Sequence, residues 1–396
     1  MQYSHSKGGA GEASLCYDYS NMTSVKKHIV VDARIRRSST GRYTDRLLQH
    51  LQAIDHYHTY TVLLMPDDTW QPTAKNFSVA PCPFAQFSFN LLDQIRFTQL
   101  LKRLKPDLVH FTMTQQPVLY FGKIVTTTHD LTMFNFVRAG QTTNAVFQLK
   151  KLGYRFLFWW SHKKSDYIIV PTQFVANDLA QFQPAVKDKI VVTYESSEPP
   201  LKQKSVKPRG VNVGSDFIMY VGSAFPHKNL ETLLDAFDIL HHNHPTLKLV
   251  LVGKKEYYYE ELEQVASTHS SYENIIFTGY LPDEELKWLY EHCKAYVFAS
   301  LSEGFGLPTL EAMAHDLPVI SSNASCMPEV YGDAAYYFNP HQPKDIAAKV
   351  TDVLTDKKLR EKLVKNGHER LKKYSWRTMA EETLTIYKSA LDETTE

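Results

Sequence analysis

Two short apolar runs, Ala295-Tyr-Val-Phe-Ala299 and Pro318-Val-Ile-Ser321, bracket the stretch Ser300-Leu-Ser-Glu303-Gly-Phe-Gly-Leu-Pro-Thr-Leu-Glu311-Ala-Met-Ala-His315. The runs are rich in β-branched and aromatic residues and read as buried strands. Between them, Gly304 and Gly306 permit a tight turn, and Pro308 suits the start of a helix, where a missing amide hydrogen costs nothing. The unit is therefore strand, glycine turn, helix, strand. A helix starting at Pro308 aims its free N–H groups and positive dipole end at the turn, which makes an anion site for a phosphate or diphosphate. Glu303 in the turn and Glu311 in the first helical turn flank that site. An acidic pair beside a bound anion is tolerated when each carboxylate faces neutral groups, and sugar hydroxyls are such groups. The ligand implied is a sugar joined to a diphosphate.

A chain of 396 residues exceeds one core and predicts two domains of about 150 to 200 residues each. Lys and Arg number 44 against 43 Asp and Glu, a balance that does not indicate nucleic-acid binding. Cys16, Cys82, Cys293 and Cys326 are scattered without metal-ligand spacing and read as reduced thiols of a cytosolic protein. No apolar run reaches the length of a membrane span, and no signal-peptide core is evident at the N-terminus.

Along the chain, residues 1–27 are polar and aperiodic and read as a disordered tail, with Met22 a second candidate start. Residues 28–195 alternate strands and helices, beginning with His28-Ile-Val-Val31 and a helix opened by Ser38-Ser-Thr-Gly41-Arg-Tyr-Thr. Further strands are expected at Tyr60–Leu64, Asp107–Phe111, Ile124–Thr128, Tyr167–Val170 and Lys189–Val192. Ile124-Val-Thr-Thr-Thr128 delivers His129 and Asp130 to the carboxyl end of its strand, where ligands of open α/β sheets bind. Residues 196–214, with three prolines, have linker composition. A second alternation follows over 215–374, with strands at Phe217–Val221, Lys248–Val252 and Ile275–Thr278, and a terminal helix over 375–396. Lys228, just before a helix N-terminus and after Gly222, is placed to neutralise phosphate charge. Phe147–Asp166 mixes aromatic residues with lysines and an arginine. It reads either as an amphipathic helix covering the sheet with its lysines solvated, the favoured reading, or as a helix resting on an anionic membrane.

Glu303 and Glu311 enclosing Gly-Phe-Gly-Leu-Pro, followed by Pro318-Val-Ile-Ser-Ser-Asn and Pro328-Glu-Val-Tyr-Gly-Asp-Ala-Ala, resemble the paired-glutamate region of the retaining family 4 glycosyltransferases. The resemblance covers nearly all of the chain from His28 and is weakest from Asp67 to Lys105. It implies the GT-B fold: two Rossmann-like, doubly wound α/β domains facing across a cleft, with the terminal helix crossing back to the first. It implies that Glu303 holds donor-sugar hydroxyls, Glu311 the ribose, Lys228 the diphosphate, and that the His129-Asp-Leu run faces the donor sugar. Gly304, Phe305, Gly306, Leu307, Gly41 and Gly222 would line the donor, with Tyr280 and Leu281 near the base. The sequence departs from the family where Ser39 replaces a loop glycine, His227 replaces an arginine and Ser223 stands where some members carry a second arginine.

The expected activity is retaining transfer of a hexose from a nucleotide-diphospho-sugar to a glycan or lipid-linked glycan, without a metal or other cofactor. GDP-mannose is the favoured donor and a UDP-sugar the alternative. The expected location is the cytoplasm, either free or peripheral on the inner membrane face. A glycoside hydrolase using the two glutamates, and a non-catalytic binding protein of the same fold, are the competing readings.

Overall fold

The computed structural model describes residues 25–38, 40–84, 90–135, 145–200 and 202–392, of which 135 and 145–150 as backbone alone. Most of the expected tail, Met22 and Ser39 lie outside the described residues.

Seven strands form the first sheet: His28–Asp32 (β1), Thr59–Leu64 (β2), Phe77–Pro81 (β3), Leu108–Phe111 (β4), Ile124–Thr127 (β5), Tyr167–Val170 (β6) and Ile190–Val192 (β7). They run parallel in the order β3-β2-β1-β4-β5-β6-β7. The second sheet takes Phe217–Val221 (β8), Lys248–Val252 (β9), Ile275–Gly279 (β10), Ala295–Phe298 (β11), Val319–Ser322 (β12) and Ala335–Phe338 (β13). It too is parallel, in the order β10-β9-β8-β11-β12-β13. Helices cover both faces of each, so the inner strands are buried on two sides and read as unbroken apolar runs, as in Phe-Ile-Met-Tyr-Val of β8. Each sheet reverses strand order beside its first strand, and at such switch points the loops after the carboxyl ends open a crevice.

Strands β3 and β13 were not foreseen. Both are edge strands. Edges need less apolar character, and β3, Phe-Ser-Val-Ala-Pro, even ends in Pro81, which a central strand would reject; β13, Ala-Tyr-Tyr-Phe, is an apolar run like the inner strands.

The terminal helix, Trp376–Ala390, leaves the second domain and packs on the first. Met379, Ala380 and Tyr387 are fully buried there, beside Leu47, Leu48 and Leu51 of the helix Gly41–Ile54 and Val31 of β1. Ser375 caps its start by accepting the Thr378 amide hydrogen at 3.3 Å. Tyr387 then hydrogen-bonds His110 Nδ1 of β4 at 2.6 Å, and His110 Nε2 meets Thr127 Oγ1 of β5 at 2.8 Å. Burial lowers the pKa of His110 to about 3, so its ring is neutral in that position.

The aromatic and basic stretch forms the helix Ala145–Lys164. Its inner face buries Phe158, Ser161 and His162. Lys163 is exposed, but Lys164 departs from the solvated expectation: its ammonium donates to the carbonyls of Pro117 (2.7 Å) and Tyr120 (3.0 Å), and burial lowers its pKa to about 7.

Candidate active site

The stretch between β11 and β12 folds as a tight turn and the helix Leu307–Ala314. Gly306 caps that helix with φ 83°, a left-handed conformation that favours glycine. A Cβ there would lie 1.9 Å from the hydroxyl of Tyr331, which donates a 3.0 Å hydrogen bond to the Gly306 carbonyl. Pro308 occupies the first turn, and Glu311 begins the second rather than lying in the first, because the helix starts one residue before Pro308. The backbone of Glu303 is fixed from both ends by Ser325, whose hydroxyl accepts from its N–H at 3.1 Å and donates to its carbonyl at 2.9 Å.

Neither glutamate faces neutral groups. Glu303 Oε1 receives the Lys228 ammonium at 2.6 Å, with both side chains largely buried. Glu311 pairs with Arg42, the second residue of the helix Gly41–Ile54 in the first domain. Burial raises the pKa of Glu311, against the opposing pull of Arg42. Burial also works to lower the pKa of Arg42, but the Glu311 charge and hydrogen bond outweigh it and raise it. Arg42 escaped the sequence reading although it carries a signal: a cation in the first turn of a helix opposes the macrodipole and implies an acidic partner from elsewhere.

Lys228 ends a 3₁₀ turn after β8, and Asn229 then adopts φ 58°. The Asn229 side chain donates to the carbonyls of Ala299 (3.2 Å) and Pro340 (2.8 Å), and the His227 carbonyl accepts from Leu301 at 2.7 Å. These bonds lash the lysine turn to the β11 turn. His227 does not restore the charge of the arginine it replaces, since burial and then the neighbouring Lys228 lower its pKa to about 4.

The first domain closes over the same turn. A Cβ on Gly304 would meet the His129 carbonyl oxygen at 2.0 Å, so the two backbones touch only because residue 304 has no side chain. Thr172 Oγ1 donates to the Gly304 carbonyl at 3.0 Å, and Thr132 and Ser302 hydroxyls meet at 2.9 Å. Glu329 of the second domain accepts from the Gln173 and Phe174 amides at 2.7 and 2.8 Å, capping the helix Gln173–Phe182 of the first.

Other expected contacts take different places. Both ring nitrogens of His129 are engaged, Nε2 with the Thr112 carbonyl (3.0 Å) and Nδ1 with Glu195 (3.3 Å). Burial disfavours its charged form, but the Glu195 hydrogen bond and charge, the Thr112 carbonyl and Asp130 prevail and raise its pKa. The Gly41 amide is already bonded to the Ser38 carbonyl at 3.0 Å, so that glycine serves close packing against the Arg36 carbonyl rather than offering a free N–H. The Phe305 side chain is buried against Tyr374 and lies 6.4 Å from the Tyr194 ring, and Leu281 is in the second-domain core, which leaves only their backbones for a donor. Gly222 has φ 153° and gives its carbonyl to the Tyr259 hydroxyl at 2.8 Å. Leu307 is partly buried between the two domain cores, whereas Tyr280, just after β10, is 70% exposed. Among the described residues, no three His, Cys, Asp or Glu side chains gather as metal ligands.

Two parallel Rossmann-like domains that clasp a cationic, glutamate-flanked helix terminus define a GT-B fold protein. Residues 202–370 match the glycosyl transferases group 1 family and residues 40–196 match glycosyltransferase family 4. Glycosyltransferase family models thus match each of the two domains. It is similar to O-antigen chain mannosyltransferase B of Escherichia coli, 34% identical over 43% of this chain and 45% of that protein, so it spans less than half of that relative's length. It is also 25% identical to O-antigen chain mannosyltransferase RfbU of Salmonella typhimurium over 87% of this chain and 88% of that one. Sucrose-phosphate synthase of Thermosynechococcus elongatus shares the fold, with a TM-score of 0.73 at 16% identity over 93% of this chain and all of that structure.

Proposed function

We propose that the protein is a retaining glycosyltransferase that moves mannose from GDP-mannose to a glycan or lipid-linked glycan. The observation that carries this reading is the Lys228–Glu303 contact beneath the N-terminus of the helix Leu307–Ala314. Donor binding replaces that contact: the Lys228 ammonium turns to the diphosphate and Glu303 is left for sugar hydroxyls. Glu311 exchanges Arg42 for the ribose hydroxyls.

The reaction breaks the bond between the anomeric carbon and the phosphate oxygen while an acceptor hydroxyl oxygen bonds to that carbon from the same face. The hydroxyl proton passes to the leaving phosphate oxygen. Negative charge grows on the β-phosphate as the sugar becomes oxocarbenium-like, so groups that hold that charge better than the ground state lower the barrier. Lys228 and the first amides of the helix at Gly306 and Leu307 are those groups, and they supply positive charge that a metal ion would otherwise bring. His129, with both nitrogens committed, positions the turn through its carbonyl against Gly304 rather than by its ring.

Melting-temperature screening against GDP, UDP, ADP and their sugars tests the donor, since a ligand selective for the folded state raises the melting temperature. GDP and GDP-mannose are expected to give the largest rise. A rise with UDP-sugars alone reassigns the donor. No response to any of them removes the reading.

The same proposal places the enzyme on the cytoplasmic side, peripheral on the membrane. No helix among the described residues is long and apolar enough to cross one. Support comes from the outer face of the helix Ala145–Lys164, where Leu152, Phe156 and Trp159 recur at helical spacing and are 63%, 53% and 36% exposed. Lys163 follows on that face with its ammonium 5.0 Å from the Trp159 ring, and the helix carries no carboxylate. Co-sedimentation with phosphatidylglycerol vesicles but not phosphatidylcholine vesicles, lost in Phe156→Ser with Trp159→Ser, is the expected result. Equal recovery of parent and variant removes this placement.

A further inference from the structure

A groove in the first domain, which shares only Arg42 with the site above, has been given no ligand so far. One wall is the outer face of the helix Gly41–Ile54, with Arg42, Arg46 and Gln49; the turn after β1 adds Arg36, and the loop after β2 forms the opposite wall with Trp70 and Gln71. The cavity is about 650 Å³, within the size range of small-molecule sites.

Its charges are compensated within the protein. Arg36 is held by Asp45 and by both oxygens of Asp68 at 2.9 and 3.0 Å. Arg46 is bidentate to Glu198 at 2.8 and 2.6 Å, and Arg42 meets Glu311. An anion gains little from arginines already paired, whereas the many donors and acceptors along these walls suit a neutral, hydroxyl-rich ligand. Trp70 adds the one broad apolar surface. It is half-buried, its amide is fixed to Asp68 Oδ1 at 3.0 Å, and the Arg36 guanidinium lies 5.3 Å from its ring. A rigid indole beside planar polar side chains matches a pyranose, whose C–H face stacks on the ring while its hydroxyls bond to the amides and guanidinium groups. The groove also leads to the cleft, because Arg42 lines it and touches Glu311 of the second domain.

We infer that this groove binds the sugar residues of a neutral oligosaccharide acceptor, stacked on Trp70 and leading past Arg42 into the cleft. The inference rests on the sugar-transfer reading and names the acceptor chemistry it left open. Trp70 is a binding residue in this assignment, and Gln71 a polar contact on the same wall.

The full chain is titrated calorimetrically with α-linked mannotriose and, separately, with GDP, for the parent, Trp70→Ala, Trp70→Phe and Gln71→Ala. Trp70→Ala is expected to weaken mannotriose about tenfold or more, Trp70→Phe to recover most of it, and GDP affinity to stay within about twofold throughout. Because Trp70 also packs on the domain core, Gln71→Ala, an exposed position, gives the readout that folding does not disturb; a loss of about threefold is expected. Unchanged mannotriose affinity in both Trp70→Ala and Gln71→Ala overturns the assignment, as does loss of GDP in place of mannotriose. A parent that binds GDP but no mannotriose overturns the groove while leaving the donor reading intact. Mannotriose bound at Trp70 without any nucleotide binding does the reverse.

Discussion

Gly304 of the second domain lies so close to His129 of the first that an added methyl group would stand 2.0 Å from the His129 carbonyl oxygen. Neither backbone can yield freely, since Thr172 bonds the Gly304 carbonyl and His129 is held through its ring. Gly304→Ala must therefore open the cleft at the turn that carries Glu303. Displacements of about 1 Å in a reacting pair cost on the order of a hundredfold. Turnover by Gly304→Ala is expected to fall by about that factor with nucleotide affinity nearly kept, measured by steady-state kinetics beside GDP titration.

Arg42 and Glu311 form an ion pair that, on the proposed reading, a bound ribose displaces. Arg42 is over a third exposed, so the pair is screened and worth only about 0.5–1 kcal/mol. Removing that competition should tighten GDP binding to Arg42→Ala by about two- to fivefold, whereas Glu311→Ala should weaken it. Calorimetric titration of both variants checks the pair of signs, and weaker binding by Arg42→Ala contradicts the exchange.

The terminal helix is a structural part of the first domain. Met379 is fully buried in that core, and truncation of such a side chain costs about 2–5 kcal/mol. Met379→Ala should lower the denaturant midpoint of the first-domain transition accordingly, followed by intrinsic fluorescence.

Stability should rise as pH climbs toward the ordinary histidine pKa. Burial holds His110 and His162 neutral, with pKa values lowered to about 3, so below pH about 6.5 the unfolded chain takes up protons that the folded one refuses. Each then removes about 1.4 kcal/mol per pH unit on acidification. His129 has the opposite sign. Its raised pKa gives stability that is complete below the unfolded value and is lost as pH rises through the folded one. Urea midpoints across pH 5 to 8 should show the acid limb, flattened in His110→Asn. Above the ordinary histidine pKa the loss carried by His129, absent in His129→Gln, runs against a gain from Lys164, which burial holds neutral in the fold while the unfolded chain still binds its proton.

Where a residue's role depends on its own stretch of chain, it could be read in advance. Strands β1, β8 and β9 are apolar runs enclosed by their own domains, and the Gly306 turn with Pro308 announces its helix. The partners across the cleft were not legible. Arg42 and Glu311 are 269 positions apart, and Glu195 meets His129 only after the chain has crossed β6 and β7. Phe305 and Leu281 show the converse: adjacency to a motif suggested ligand contact, but their apolar side chains were drawn into cores. Sequence proximity marked the site and burial then divided its residues.

The central claim is that Lys228 and the helix terminus receive the departing diphosphate while Glu303 holds the sugar. Single-turnover transfer from GDP-mannose by the parent, Glu303→Ala and Lys228→Ala measures it most directly. Removal of a group that acts on developing charge costs on the order of a hundred- to a thousandfold. Glu303→Ala should lose turnover on that scale with modest change in GDP affinity, and Lys228→Ala should lose both. Transfer by Glu303→Ala at the parent rate contradicts the account.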